Sequence, residues 1–197
     1  MKIFKNNVEL IKDLKRFIND AEINLGCYEV IRNYIKKNFN NYRTKVIFCL
    51  RRENSYLLLL SRNHLFSSLL TLYSMLFGNK DEISPNNLKD LNIDSERDLN
   101  NIKTEFKSKN LHIFRHKFIA HTAKKDSIDT LICFETLDSI FTDINEVLQK
   151  LKDWLIKYFK EYNDYLLKDN YKDEILNIIK LVEKDYKKKL KIYMENQ

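Results

Sequence analysis

Three side chains in one short run, Arg115, His116 and His121, could act together on a phosphate group. Arginine stays charged at any biological pH and presents a planar fork of donors that fits phosphate oxygens. Histidine accepts or donates a proton near neutral pH. A general acid or base typically contributes a factor of about 10² to 10⁴ in rate, and positive charge at the phosphate adds to it. The run therefore predicts phosphodiester cleavage that needs no metal ion.

RNA is the phosphodiester that best fits this set of groups. Its own 2′-hydroxyl is the nucleophile, so cleavage needs only a base, an acid for the leaving oxygen and a cation at the phosphate. The spacing limits how the groups can meet, because six residues of a regular helix leave Arg115 and His121 about 120° apart around the axis and about 9 Å apart along it. We expect either that the helix frays before His121 or that two copies of the run meet across a twofold dimer.

Helices are the elements that must position this run. The 197 residues include only two glycines and one proline, and these are the residue types on which the turns of sheets depend. Apolar residues recur instead at helical spacing. We therefore predict an all-α fold, a bundle of long antiparallel helices that forms a single domain over residues 1–197. Its core would span about residues 45–165, with N- and C-terminal helices packed on it.

The apolar spacing also predicts where the helices lie. The first helix would run over about residues 8–39, either unbroken or broken once at Gly26, and the second would end at Gly78. The remaining expected helices cover about residues 86–91, 95–121, 137–162 and 175–194. Ser95 would cap the helix that carries the run, with Asp98 as the acid of a capping box. The core-facing stripe of that helix would be Leu99, Ile102, Phe106, Ile113 and Ala120.

Charge and cysteine content narrow the setting. The net charge of +7 comes from 35 Lys and Arg against 28 Asp and Glu, which favours a polyanionic partner, although lysine-rich helices are often simply solvated. The odd set Cys27, Cys49 and Cys133 argues against a disulfide framework or a cysteine zinc site and predicts a reducing, cytoplasmic location. The densest apolar stretch, residues 56–60, is soon interrupted by Arg62, so no membrane span is expected.

The spacing Arg115-x5-His121, with polar His116 directly after the arginine, resembles the Arg-x4-6-His signature of the HEPN superfamily. The resemblance implies an all-helical protein, usually a homodimer with the motif in a shared cleft, that cleaves RNA without metal or another cofactor. Such proteins act in toxin–antitoxin, abortive-infection and other antiviral systems. The layout of residues 45–165, with Ser61-Arg62-Asn63 on a central helix, most resembles the abortive-infection U-type branch.

The resemblance also implies a role for each motif residue. Arg115 would bind the phosphate, His121 would transfer the proton, and His116 would support the substrate or orient the site. HEPN toxins that are controlled by a nucleotidyltransferase carry a tyrosine two residues after the motif histidine. Ala123 stands there in this chain, so that control is not expected, and an antitoxin or defence-system protein of another kind is the candidate partner.

Two other functions fit parts of the same pattern. The first is a catalytically inactive HEPN-like module that binds RNA or a protein through the same groove. The second is a metal-dependent hydrolase that uses His112 and His116, which share a helix face at i,i+4 spacing. That site lacks the glutamate of HExxH and would need a third ligand such as Asp126.

Structural roles compete with these functions. His121 could be a helix C-terminal residue whose charge meets the helix dipole, with Arg115 simply on the surface. Arg62 and His64 are polar residues on an apolar helix, where burial would be costly. They could support the site from behind or emerge at the edge of the helix.

Overall fold

A computed structural model of the chain describes residues 7–38, 55–78, 83–89, 91–116, 134–159, 173–181 and 184. All regular secondary structure in these ranges is helical, which confirms the all-α prediction. The helices are α1 (Asn7–Asn38), α2 (Ser55–Phe77), α3 (Ile93–Ser108), α4 (Leu111–Phe114) and α5 (Phe134–Tyr158). A 3₁₀ turn, Pro85–Asn87, lies between α2 and α3, and residues 173–181 form a further helical segment.

The first two helices agree with the spacing of apolar residues in the sequence. α1 runs without interruption through Gly26, which is buried inside the helix. Burial of the helix face compensates for the roughly 1 kcal/mol by which glycine disfavours a helix interior. α2 ends at Phe77, directly before Gly78, as predicted. Of the short helix predicted over residues 86–91, the described residues form only the 3₁₀ turn.

The 3₁₀ turn closes the C-terminal end of α2. The last carbonyls of a helix have no partner within it. Ser84 Oγ donates to the Met75 carbonyl at 2.8 Å, and Asn86 Nδ2 donates to the Leu76 carbonyl at 3.3 Å. Two side chains of the turn therefore satisfy the end of α2 and hold the turn against it.

The start of α3 differs from the prediction. Asn92, not Ser95, is the N-cap, and its side chain accepts a hydrogen bond from the Ser95 N–H at 2.8 Å. Ser95 is buried one turn inside the helix, where its carbonyl accepts a bond from the Trp154 indole N–H at 2.9 Å. The predicted cap was wrong because two residues able to cap, Asn92 and Ser95, stand three positions apart and periodicity cannot choose between them. Asp98 makes no capping box and pairs with α5.

Helices α3 and α5 pack antiparallel along their length. Asp98 near the start of α3 accepts from Lys157 and Tyr158 near the end of α5. Further along α3, Glu105 pairs with Lys150. The two helices also carry buried apolar residues, which are Leu99, Ile102 and Phe106 on α3 and Leu137, Ile140, Ile144, Val147, Leu148, Leu151, Trp154 and Leu155 on α5. Burying such side chains stabilises the fold by about 1.5–3 kcal/mol each.

The contacts divide the chain into two compact units. Residues 1–25 and 62–166 form the first, and residues 26–61 and 167–197 form the second. In the second unit the described buried apolar residues are Cys27, Tyr28, Ile31, Ile35 and Ile179. Burial raises the pKa of the Cys27 thiol, which disfavours the reactive thiolate. The single domain over residues 1–197 stays a prediction.

The later helices are only partly covered by the described residues. α5 ends at Tyr158, whereas the sequence predicted a helix to about residue 162. Of the final predicted helix only residues 173–181 and 184 are described, with Ile179 buried and Ile178 exposed. None of the helices in the described ranges is long and apolar enough to cross a membrane.

Candidate functional site

The helix is interrupted at Asn110, five residues before the arginine of the motif. α3 ends at Ser108, and Asn110 takes the left-handed conformation with φ of 58°. Asparagine tolerates this conformation better than most residues because its short polar side chain bonds locally. α4 then begins at Leu111, whose side chain is fully buried. The prediction of one helix from Ser95 through the motif was wrong, since the left-handed residue ends it.

The break also changes which side chains face the core. Leu99, Ile102 and Phe106 are buried as predicted, but Ile113 is 38% exposed. The angle per residue that relates Phe106 to Ile113 holds only in an uninterrupted helix. Leu111 is the residue that anchors α4 instead. Ala120, the last member of the predicted stripe, lies outside the described residues.

Arg115 is half-buried against an aromatic ring of α2. Its Cζ lies 4.5 Å from the centroid of the Tyr73 ring, within the range of a cation–π contact. Within the described ranges no carboxylate forms an ion pair with this guanidinium. The ring holds the arginine in place without neutralising it. The sequence did not identify Tyr73, because a tyrosine at helical spacing is read as core.

The Arg115 N–H reaches the carbonyls of Leu111 and His112, so the backbone of Arg115 continues the turn of α4. His116, the next residue, is exposed to solvent, so Arg115 and His116 are adjacent and both reachable.

His121 lies outside the described residues, as do Ala123 and Asp126. The predicted convergence of His121 with Arg115 therefore stays a prediction, and so does its alternative role at a helix end. His112 is described and is half-buried, with an Nδ1 atom that is buried and makes no hydrogen bond. The described ranges contain no group of three His, Cys, Asp or Glu that could hold a metal ion around His112 and His116 or elsewhere.

Arg62 and His64 face different surroundings on α2. His64 Nδ1 lies 2.7 Å from Asn24 Oδ1. Asn24 Nδ2 donates to the Asp20 carbonyl at 2.8 Å, which fixes the amide orientation and leaves Oδ1 as an acceptor for the imidazole. His64 Nδ1 must therefore carry the proton. Burial lowers the pKa of His64, which favours the neutral ring.

Arg62 lies beside the Phe66 ring at 6.0 Å, with its Nε buried and unbonded, and burial lowers its pKa. Within the described residues neither Arg62 nor His64 bonds to Arg115 or His116. No direct hydrogen bond among the described residues therefore supports the predicted role of Arg62 and His64 in holding the motif.

No family model, curated protein or solved structure matches this chain. The candidate site is therefore defined by its own geometry. Arg115 lies against the Tyr73 ring, the left-handed residue Asn110 precedes it, and the exposed His116 is next to it.

Proposed function

We propose that the protein is a metal-independent endoribonuclease of the HEPN type, which cleaves RNA through attack of the 2′-hydroxyl. The observation that carries the proposal is the Arg115 guanidinium, which is held by the Tyr73 ring at 4.5 Å and lacks a carboxylate partner among the described residues. An arginine in this state can give both of its donor edges to a phosphate. The exposed His116 beside it supports the same conclusion.

Each motif residue has one role in this proposal. Arg115 binds the scissile phosphate and stabilises the charge that develops on it. His121 transfers the proton between the reacting oxygens. His116 contacts the substrate beside Arg115. The protein acts as a homodimer in the cytoplasm, in a toxin–antitoxin or abortive-infection system, with an antitoxin or another defence-system protein as its partner.

Cleavage of RNA in excess chelator tests this proposal. The wild-type protein should cut RNA and leave 2′,3′-cyclic phosphate ends, and Arg115→Ala and His121→Ala should each lower the rate by at least about 10². Arg97→Ala is the matched control, because Arg97 is an exposed arginine of the same unit that pairs with Asp94 at 2.8 Å. Full activity in Arg115→Ala or His121→Ala with an unchanged thermal melt would remove the assigned site.

Mixing two inactive variants tests the dimer. If Arg115 and His121 from two subunits share one groove, a heterodimer of Arg115→Ala and His121→Ala retains one copy of each residue. Mixing the two proteins should then restore part of the cleavage that each lacks alone. If cleavage of the wild type is confirmed and mixing under subunit exchange restores none of it, the shared groove is wrong.

A catalytically silent module that binds RNA through the same groove is the second candidate. It is favoured by the contact of Arg115 with Tyr73, because that contact prepares a phosphate site without any contribution from His121. RNA binding without cleavage of any RNA would select this function. Cleavage that chelator abolishes would instead select the metal-dependent hydrolase that uses His112 and His116.

A further inference from the structure

Three cations, two on α3 and one directly after α4, lie on the side that faces α2. Arg115 lies 4.5 Å from the Tyr73 ring, and Lys107 Nζ lies 5.4 Å from the Phe77 ring. The two rings are themselves in contact, with centroids 5.1 Å apart. Lys103 stands one helical turn before Lys107 on α3. We call these five residues the cation–aromatic face.

The aromatic rings give this face a fixed base. Tyr73 and Phe77 both contact the Phe106 ring, at 6.1 and 5.4 Å, and Phe106 is fully buried. Tyr73 and Phe77 are half-buried, so they join the core to the surface. The cations above them are thus attached to a rigid cluster, and the contacts hold Arg115 and Lys107 on one continuous surface.

None of the three cations has an acidic partner in the part of the chain that the structure describes. Lys103 instead donates to the neutral Asn86 Oδ1. Asn86 is oriented by its own amide, which donates to Ser84 Oγ at 2.9 Å and to the Leu76 carbonyl. The ammonium of Lys103 is therefore positioned while its charge is kept.

The charge of Lys107 acts on Lys103. Burial and, second, the charge of Lys107 lower the pKa of Lys103. A pKa lowered by a neighbouring cation reports local positive potential. A bound anion would relieve this repulsion, whereas water and neutral side chains only screen it.

We propose that the cation–aromatic face binds the sugar–phosphate backbone of single-stranded RNA and leads it to Arg115. Lys103 and Lys107 contact phosphates that flank the one held by Arg115. The identification of the ligand as RNA rests on the proposed function, while the binding of a polyanionic strand follows from the charges and rings of the face.

A single strand fits this face better than a duplex. The cations follow one line along α3 and α4, and proteins that bind single strands combine such a line with aromatic side chains. A guanidinium that rests on a ring can also stack with a base on its outer side, which is available only when the base is unpaired.

Binding measured apart from cleavage tests the proposal. The protein is prepared with His121→Ala, so that a fluorescent single-stranded RNA oligonucleotide stays intact, and anisotropy gives the affinity over a range of salt concentrations. In this background Lys103→Gln with Lys107→Gln removes two cations from the face. Lys150→Gln with Lys157→Gln removes the same charge from α5, where each lysine pairs with a carboxylate.

The expected difference follows from counterion release. Each phosphate contact on a single strand contributes about 0.7 to the slope of log affinity against log salt. The Lys103/Lys107 double variant should therefore lose about 1.4 from the slope and bind about 25-fold more weakly at about 0.1 M salt. The Lys150/Lys157 double variant should change affinity by less than about threefold, with an equal melting temperature as the check on folding.

The outcomes separate this proposal from the proposed function. Equal loss of affinity in the two double variants overturns the face, because net charge alone would then explain binding. The proposal is also overturned if the Lys103/Lys107 double variant binds a polyglutamate peptide more weakly than its parent but binds RNA equally well. The face would then bind an acidic protein and not RNA. If the Lys103/Lys107 variant binds RNA weakly but the wild type cleaves none, the face stands and the endoribonuclease function fails.

Discussion

Helix α3 and its C-cap residue Lys109 carry lysines on two sides, and the two sides differ in what lies opposite them. Toward α5, Lys109 pairs with Asp143 at 2.9 Å and Glu146 at 2.7 Å, and carboxylates of α3 pair with Lys150 and Lys157. Toward α2, Lys103 and Lys107 meet an amide oxygen and an aromatic ring.

The same residue type thus serves two purposes in one helix. On the side toward α5, charge is neutralised within the fold and adds orientation to an apolar interface. On the side toward α2, the fold keeps the charge and uses rings and an amide to place it. The overall value of +7 does not reveal this difference between the two sides.

The largest expected effect concerns Phe106, the ring beneath the cation–aromatic face. Among the described residues no ion pair joins α2 to α3, and the contacts of Phe106 with Tyr73 and Phe77 are central to the attachment of the two helices. Phe106→Ala should lower the free energy of unfolding by about 3–5 kcal/mol in urea denaturation, because it opens a cavity in the core. Phe106→Leu, the control that retains most of the volume, should cost about 1.5 kcal/mol or less. A cost below about 1 kcal/mol for Phe106→Ala would contradict the role of the ring cluster.

A matched pair of lysine variants compares the two sides directly. Lys109→Met should lower the free energy of unfolding by about 1 kcal/mol, because Asp143 and Glu146 then lose their partner. The Lys109 side chain is only 20% exposed, so water screens these pairs only in part. Lys107→Met should change it by less than about 0.5 kcal/mol. The difference should shrink in high salt, which screens the pair. Equal costs for the two variants would remove the distinction between the sides.

The smallest expected effect is a pH dependence at Asp98. Hydrogen bonds from Lys157 and Tyr158 lower the pKa of this carboxyl below its ordinary value. Because the folded pKa is the lower one, the stabilisation is fully present above the unfolded pKa and is lost as pH falls through the folded pKa. Melting temperatures across the acid range should therefore fall less steeply in Asp98→Asn than in the wild type. Parallel curves for the two proteins would show that the pair does not stabilise the fold.

Sequence periodicity predicted the helices well where packing alone decides them. The apolar residues of α1 and α2 recur at helical spacing, and both helices form with the expected ends near Asn7 and Gly78. The start of α3 was misplaced because both Asn92 and Ser95 can accept a hydrogen bond from a backbone N–H two or three residues further along, and Asn92 is the one that does so. The Trp154 indole N–H also donates to the Ser95 carbonyl, which helps to hold Ser95 inside the helix. A contact with such a distant residue cannot be predicted from local sequence.

The candidate site could be predicted in part. Arg115 and His116 were recognised by type, and the structure places both where a ligand can reach them. The break at Asn110 was missed, although an asparagine just after a helix cap is a known signal for the left-handed conformation. Tyr73 and Lys107 were missed because their roles depend on contacts between distant segments. Spacing within one helix carries no information about such contacts.

The bond between Asn86 and Lys103 has a consequence for the thermodynamics of ligand binding. A free lysine side chain samples many rotamers, and immobilising such a chain in a complex costs about 0.5–1.5 kcal/mol. Lys103 is already restrained by an amide that the end of α2 holds in place. Part of the ordering entropy of Lys103 is therefore lost during folding, so the proposed binding of a phosphate backbone would need less further ordering from Lys103 than from a free lysine.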